Sequence, residues 1–338
     1  MTPPLPRPAA PTTPTTPRRI AFLLVPDFSL IAFAAAIEPL RLADRSAEER
    51  LYAWSLHSAD GRPVTASNGM TAAVDGRFAD VAQIDAAIVC AGIDVETKDV
   101  RELTACLRRL AKRGVALGAV CTGTWVLAKA GVLGGRRATI HWENHAALVD
   151  AFPDLAVSQE LFEIDGDRFT CAGGAAAMDM MLSVIARDHD DTLALGISDQ
   201  LIHQRIRDAG ERQRTGTTAR LAAAPPKLVA ALAEMEADLG RAVDVGRIAL
   251  GVGLSTRQLE RLFKDHLGVS PARHHLTLRL ERGRALMRQT RRPIVDVALD
   301  CGFASASHFS KAFAAEFGHP PSVERKPREG SRSTTSSP

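Results

Sequence analysis

From Ala298 to Phe313 the chain reads Ala-Leu-Asp-Cys-Gly-Phe-Ala-Ser-Ala-Ser-His-Phe-Ser-Lys-Ala-Phe, a pattern suited to two short helices about a tight turn. Val297 and Ala298 close one helix on an apolar face, Gly302 permits the left-handed backbone of the turn, and Ser305 can cap the next helix with its hydroxyl. Phe309 and Phe313, four apart, share the buried side of that second helix. Its other side is expected to expose Ala306, Ser307, Ser310 and Lys311. Small, polar and cationic residues on an outer face suit a helix lying in a DNA groove.

The same pattern stands earlier, at Ile248-Ala-Leu-Gly-Val-Gly-Leu-Ser-Thr-Arg-Gln-Leu-Glu-Arg-Leu-Phe263. Ala249 and Gly253 repeat the spacing of Ala298 and Gly302, while Ser255, Leu259, Arg261 and Phe263 correspond to Ser305, Phe309, Lys311 and Phe313. One such match would fit any helical hairpin. Two in register, each with a serine cap and a basic outer face, imply two helix-turn-helix units. In the first unit Leu259, Leu262 and Phe263 face inward, which turns Thr256, Arg257, Gln258, Glu260, Arg261 and Lys264 outward. Arginine can bond guanine bidentately in the major groove, glutamine can bond adenine, and glutamate can accept from cytosine. Ser270 and Pro271 then open a connecting helix to about residue 289.

Charge follows this division. The chain of 338 residues carries a formal +3, but residues 227–330 hold 17 Lys or Arg against 12 Asp or Glu, and residues 255–292 hold ten against three. A charge run is most often a solvated face; one that coincides with a recognition helix and its connector favours phosphate contact. Arg279, Arg282, Arg284 and Arg288 are spread around the connector, so some are expected to pair with acids such as Glu281 and others to reach the duplex.

Residues 227–326 resemble the DNA-binding domain of AraC-type transcriptional regulators. The motifs that carry the resemblance are Gly-Leu-Ser-Thr-Arg-Gln-Leu-Glu-Arg-Leu-Phe, Leu-Gly-Val-Ser-Pro (267–271), Gly-Phe-Ala-Ser-Ala-Ser-His-Phe-Ser-Lys-Ala-Phe and Phe-Gly-His-Pro-Pro (317–321). The family alignment implies Arg257, Glu260 and Arg261 as base readers. The ending Ser-Val-Glu-Arg-Lys departs from the family, where an aromatic commonly precedes the arginine.

The first two thirds of the chain have a different grammar. Residues 1–17 alternate proline with threonine and alanine and read as a disordered arm. Short apolar runs at 20–25, 85–90 and 115–120 alternate with helical patterns at 28–44 and 97–113, which implies a parallel sheet covered on both faces. The third run leads straight into Cys121-Thr-Gly-Thr-Trp-Val-Leu-Ala-Lys-Ala-Gly131. A cysteine at the junction of a buried strand and a helix N-terminus feels the free amides, which would lower its thiol pKa and make it a candidate nucleophile; the plain alternative is a buried, inert thiol. A further helix is expected over 193–208. Residues 209–226 lose periodicity and end in two prolines, so the interdomain linker is placed there, and residues 327–338 read as a disordered tail.

Residues 19–208 are similar to the class I glutamine-amidotransferase-like domain of the PfpI type, and the combination with an AraC-type domain resembles the GlxA family of regulators. Ala-Ile-Glu-Pro-Leu-Arg (36–41), the Cys121 segment, Arg-Arg-Ala-Thr-Ile-His-Trp-Glu (136–143) and Thr-Cys-Ala-Gly-Gly (170–174) carry this second likeness. In related hydrolytic domains an elbow cysteine works with a histidine and an acid, and the resemblance offers Cys121, His141 and Glu38. Thr122 stands where the protease-like members have a catalytic histidine, so the triad is expected to be vestigial and the pocket to be a sensor.

Glu38, Cys121, His141, Trp142 and Glu143 are the expected ligand residues, because aromatic faces beside carboxylates can cage an ammonium or guanidinium group. Trp125 lies on an apolar helix face and reads as core. Within the family, the most similar sequences respond to arginine or to quaternary amines such as betaine and carnitine, which implies a small nitrogenous effector.

The whole reads as an α/β amidotransferase-like sensor domain (18–208) followed by an all-α domain with two helix-turn-helix units. Five cysteines without a Cys-x-x-Cys pair argue against a disulfide framework and a zinc site, and no metal or cofactor is expected. No signal peptide or membrane-length apolar run is visible, so a cytoplasmic homodimer is expected, with double-stranded promoter DNA, RNA polymerase and a small-molecule effector as partners. Activation of transcription is the expected output. The rival reading is a cysteine-dependent amidase or hydratase-like enzyme with an appended DNA-binding domain.

Overall fold

The computed structural model describes residues 16–211, 213, 225–290 and 292–324. The expected arm lies outside the described residues apart from its last two positions, as do most of the expected linker and the tail. The chain divides into two compact units, residues 1–213 and 214–338.

In the first unit a seven-stranded sheet has the order β10-β11-β7-β6-β1-β2-β5. These strands are β1 (Arg18–Leu24), β2 (Tyr52–Ser58), β5 (Gly76–Arg77), β6 (Ala86–Cys90), β7 (Ala116–Val120), β10 (Phe162–Asp165) and β11 (Arg168–Cys171). Every pairing is parallel except β10 with β11. Two small sheets pair β3 (Val64–Thr65) with β4 (Thr71–Ala72) and β8 (Arg137–Thr139) with β9 (Ala156–Ser158).

Alternation along β1 builds both cores. Ile20, Phe22 and Leu24 face one layer, whose helices are α1 (Leu30–Ala47), α5 (Ala176–Asp188) and α6 (Asp191–Gln200). Ala21, Leu23 and Val25 face the other, with α2 (Arg101–Lys112), α3 (Gly123–Ala130) and α4 (Trp142–Ala151). Burial on both faces explains why the central strands read as unbroken apolar runs.

Two boundaries differ from the sequence expectation. The helix expected over 193–208 stops at Gln200, and Ile202 takes a left-handed φ of 53°. The fully buried carboxylate of Asp179 supplies the reason. It bonds His203 Nε2 at 2.8 Å and accepts from the Arg207 backbone N–H at 2.8 Å and the Arg207 guanidinium at 2.6 and 3.0 Å. Leaving that charge unpaired would cost more than a few lost helical bonds. The first unit also extends past residue 208: Leu161 N–H donates to the Glu211 carbonyl at 2.8 Å, and Gln213 N–H to that of Gln159 at 3.3 Å. The first unit therefore reaches Gln213, and α7 (Pro226–Ala237) is the first described helix of the second unit.

The second unit is helical. After α7 come α8 (Val245–Gly251), α9 (Thr256–Leu267), α10 (Pro271–Gln289), α11 (Ile294–Asp300), α12 (Ala306–Phe317) and a last 3-10 turn, Pro321–Glu324. The expected caps form: Asp244 accepts from Gly246 and Arg247 N–H, Ser255 from Gln258, Ser270 from Arg273 and Ser305 from His308.

Candidate DNA interface and sensor pocket

Helices α8–α9 and α11–α12 are the two helix-turn-helix units, with α10 between them. Leu259 and Phe263 on α9, and Phe309 and Phe313 on α12, are wholly buried, so the spacing sets which face is left to solvent. On α9 the exposed residues are Thr256, Arg257, Gln258, Glu260, Arg261 and Lys264, with Ser255 at the cap. Among the described residues neither Arg257 nor Arg261 pairs with an acid. On α12 Ser307 and Lys311 are exposed, with Ser305 at the cap, while Ala306 and Ser310, expected outside, are half-buried.

Two side chains expected at the duplex are engaged locally. Gln258 Oε1 accepts from Ser255 N–H at 2.9 Å and from its hydroxyl at 3.1 Å, closing a capping box in place of a free amide for adenine. Lys264 Nζ donates to the Gly268 carbonyl at 3.2 Å, at the C-terminus of its own helix.

The connector's charge is also turned inward. Arg284 and Arg288 both reach Glu324, at 2.6 and 2.5 Å, and Arg273 pairs with Glu316. Arg279 is buried and donates to the carbonyls of Cys301 and Gly302, at 2.6 and 2.5 Å. Arg279, Arg284 and Arg288, with Arg273, thus hold the second reading unit against the connector. Glu324, in the ending that departs from the family pattern, is the acid that makes this possible.

In the first unit Cys121 directly follows β7 at φ +60°, a left-handed conformation held by close packing. A Cβ on Gly173, itself at φ +91°, would fall 2.7 Å from Cys121 Cβ, so only glycine fits there. The Thr122 hydroxyl donates to the Gly92 carbonyl at 2.7 Å, tying the elbow to the end of β6. The chain feeds β2 to one side of β1 and β6 to the other, so the elbow lies one strand from the switch point, where α/β sheets bind ligands.

His141 sits beside this elbow, its N–H donating to the Cys121 carbonyl at 3.3 Å. Its Nδ1 lies 3.9 Å from Glu143 Oε2, and its ring centroid 5.6 Å from that of Trp142. Trp142 and Glu143 are exposed, so an open shelf of one imidazole, one indole and one carboxylate adjoins the buried cysteine. Burial lowers the His141 pKa, against the pull of Glu143.

One expectation about this pocket needs correction. The thiol is not lowered by the helix terminus: burial pushes Cys121 up to about 11, against one stabilising bond from the Thr122 N–H. Among the described residues no hydrogen bond joins this thiol to the His141 imidazole. Glu38 forms a half-exposed pair with Arg41 at 2.7 Å and bonds neither of them. Trp125 packs edge-on against Phe152 at 5.6 Å, as a core residue should.

Four further residues, which spacing did not reveal, support the shelf. The Thr124 hydroxyl, one turn beyond the elbow, donates to the Thr139 carbonyl at 2.7 Å, and the Thr139 N–H donates to the Thr170 hydroxyl at 2.9 Å. Gln213 Nε2 then donates to Thr139 Oγ1 at 2.9 Å, to the Ile140 carbonyl at 2.8 Å and to that of Glu160 at 3.0 Å. The last described residue of the first unit is thereby bonded to the backbone that presents His141. A cleft of about 470 Å³ between α5, α6 and residues 206–209 is lined by none of the shelf residues.

Comparison with known proteins agrees with both halves. Residues 18–187 match the DJ-1/PfpI family and residues 248–327 match a helix-turn-helix domain. The chain is 44% identical to the HTH-type transcriptional regulator GbdR of Pseudomonas aeruginosa, over 94% of its own length and 87% of that protein. It is 35% identical to the HTH-type transcriptional regulator GlxA of Rhizobium meliloti, over 93% of this chain and 97% of the other. Among solved structures, an AraC family transcriptional regulator from Pseudomonas putida superposes over 55% of this chain and all of its own, with a TM-score of 0.52 and 31% identity. With a parallel-sheet DJ-1/PfpI-type domain followed by an AraC-type double helix-turn-helix, the chain belongs to the GlxA family of DNA-binding transcriptional regulators.

Proposed function

We propose that the protein is an effector-gated transcriptional activator, working as a homodimer on promoter DNA with RNA polymerase as the recipient of its signal. The shelf beside Cys121 is the effector site. Its occupant is a small nitrogenous cation: the Trp142 face and the Glu143 carboxylate together suit an ammonium or guanidinium group, and neutral His141 adds no repulsion. The observation that carries this reading is the exposure of Trp142 and Glu143 next to an otherwise buried elbow.

The left-handed elbow is the one feature on the side of a hydrolase. Against catalysis stand the high thiol pKa and the absence, among the described residues, of a bond from the thiol to His141. Backbone N–H groups of Cys121 and Gly173 also bond the sulfur of buried Cys171.

Calorimetric titration of the full chain with betaine, carnitine and arginine tests the effector site. One of them should bind, and Trp142→Ala and Glu143→Gln should each weaken it by about 1–2 kcal/mol. Binding that ignores both substitutions would move the site elsewhere.

A further inference from the structure

The two reading units differ at one equivalent position. The third residue of α9 is Gln258, whose side-chain oxygen is held by Ser255. The third residue of α12 is His308, which is exposed; its backbone N–H bonds the Ser305 hydroxyl at 3.1 Å, yet among the described residues neither of its ring nitrogens has a partner. The imidazole is nonetheless positioned. It meets the buried Phe303 ring edge-on, with centroids 5.5 Å apart and planes at 74°. Phe303 in turn lies under the Arg279 guanidinium, 4.4 Å from the ring centroid, and Arg279 is bonded to the turn itself.

Resting on the DNA-binding reading, we infer that His308 is a specificity-determining residue of the second unit and reads a guanine edge in the major groove. The first turn of a recognition helix is where side chains reach base edges. A side chain held by an aromatic neighbour gives up little rotamer freedom when it bonds a base. An imidazole N–H is a donor, and guanine presents two adjacent acceptors, N7 and O6, to receive it. The neighbouring α12 residues suit other tasks: Ser305 is occupied as the cap, Ser310 is half-buried, and Lys311 is a point charge fitted to phosphate. The second unit therefore reads sequence through an imidazole ring, whereas the first reads through Arg257, Glu260 and Arg261.

The test is selection from a random-sequence duplex library by the full chain, carried out in parallel with the wild type, His308→Ala and His308→Asn. Because the side chain is exposed, both variants should fold, which thermal unfolding checks. Loss of the preference for guanine at one position in one half of the selected site, with the other half unchanged, is the expected result for His308→Ala. The wild-type site should then bind this variant roughly ten-fold more weakly, and His308→Asn should shift the preference at that same position. An equal loss on all sequences would make His308 a phosphate contact, and unchanged preferences would make it only a packing residue; either overturns the inference. A wild-type chain that enriches no sequence overturns the DNA-binding reading beneath it, a failure separable from the other two.

Discussion

Arg279 of the connector donates from Nη2 to the Gly302 carbonyl at 2.5 Å, so the turn of the second reading unit is bonded to the helix that joins the two units. Nε of the same guanidinium reaches the Cys301 carbonyl, and its plane covers Phe303. Arg279→Met keeps the length of the side chain but leaves two buried carbonyls unpaired. The variant should unfold with about 2–4 kcal/mol less stability in urea, with the loss concentrated in the second unit. An unchanged midpoint would mean that the turn holds itself.

The thiol of Cys121 offers a second prediction. With a pKa near 11, about one molecule in a thousand carries the thiolate at pH 8. Alkylation by iodoacetamide, followed by mass spectrometry, should be slow at neutral pH and rise about ten-fold per pH unit up to that range. A rate that levels off near neutrality would reveal an activated nucleophile and revive the enzyme reading.

Acid should weaken the DNA-binding unit. Burial depresses the pKa of both His274 and His275, each below 6.5, and each also feels a neighbouring positive or titrating group, Arg279 or His275. Above about pH 6.5 both are neutral whether folded or unfolded, and stability is full. As the pH falls below that value the unfolded chain takes up protons that the folded unit resists, so stability is lost. Urea midpoints should therefore drop between about pH 7.5 and 5.5, and drop less in a His274→Gln/His275→Gln variant. A midpoint that rises with acid would contradict the burial assigned to these rings.

The parts of this molecule that follow from periodicity were legible in its sequence. Unbroken apolar runs marked the central strands because both faces of the sheet are covered. Phe309 and Phe313, like Leu259 and Phe263, marked the buried sides of α12 and α9. What periodicity does not encode is where a polar side chain finds its partner. Glu324 lies 40 and 36 residues from the two arginines that it holds, so the sequence offered the local Glu281 as a pairing acid and not the distant Glu324. Gln258 looked like a base reader until the capping box claimed its amide. Gln213 reaches Thr139 across 74 residues, and no local pattern announces such a contact. The elbow was legible as strand, turn and helix, but the thiol's burial depends on Gly173, from another strand end, pressing against it.

The central claim is that the chain reads DNA through the exposed faces of α9 and α12. Its most direct test is the affinity of the full chain for its selected duplex, compared with that of an Arg261→Ala/Lys311→Ala variant at fixed salt. Both side chains are exposed, so the variant should fold and unfold as the wild type does. Binding should fall by at least about 30-fold, with a shallower salt dependence. Equal affinity in the two proteins would contradict the account.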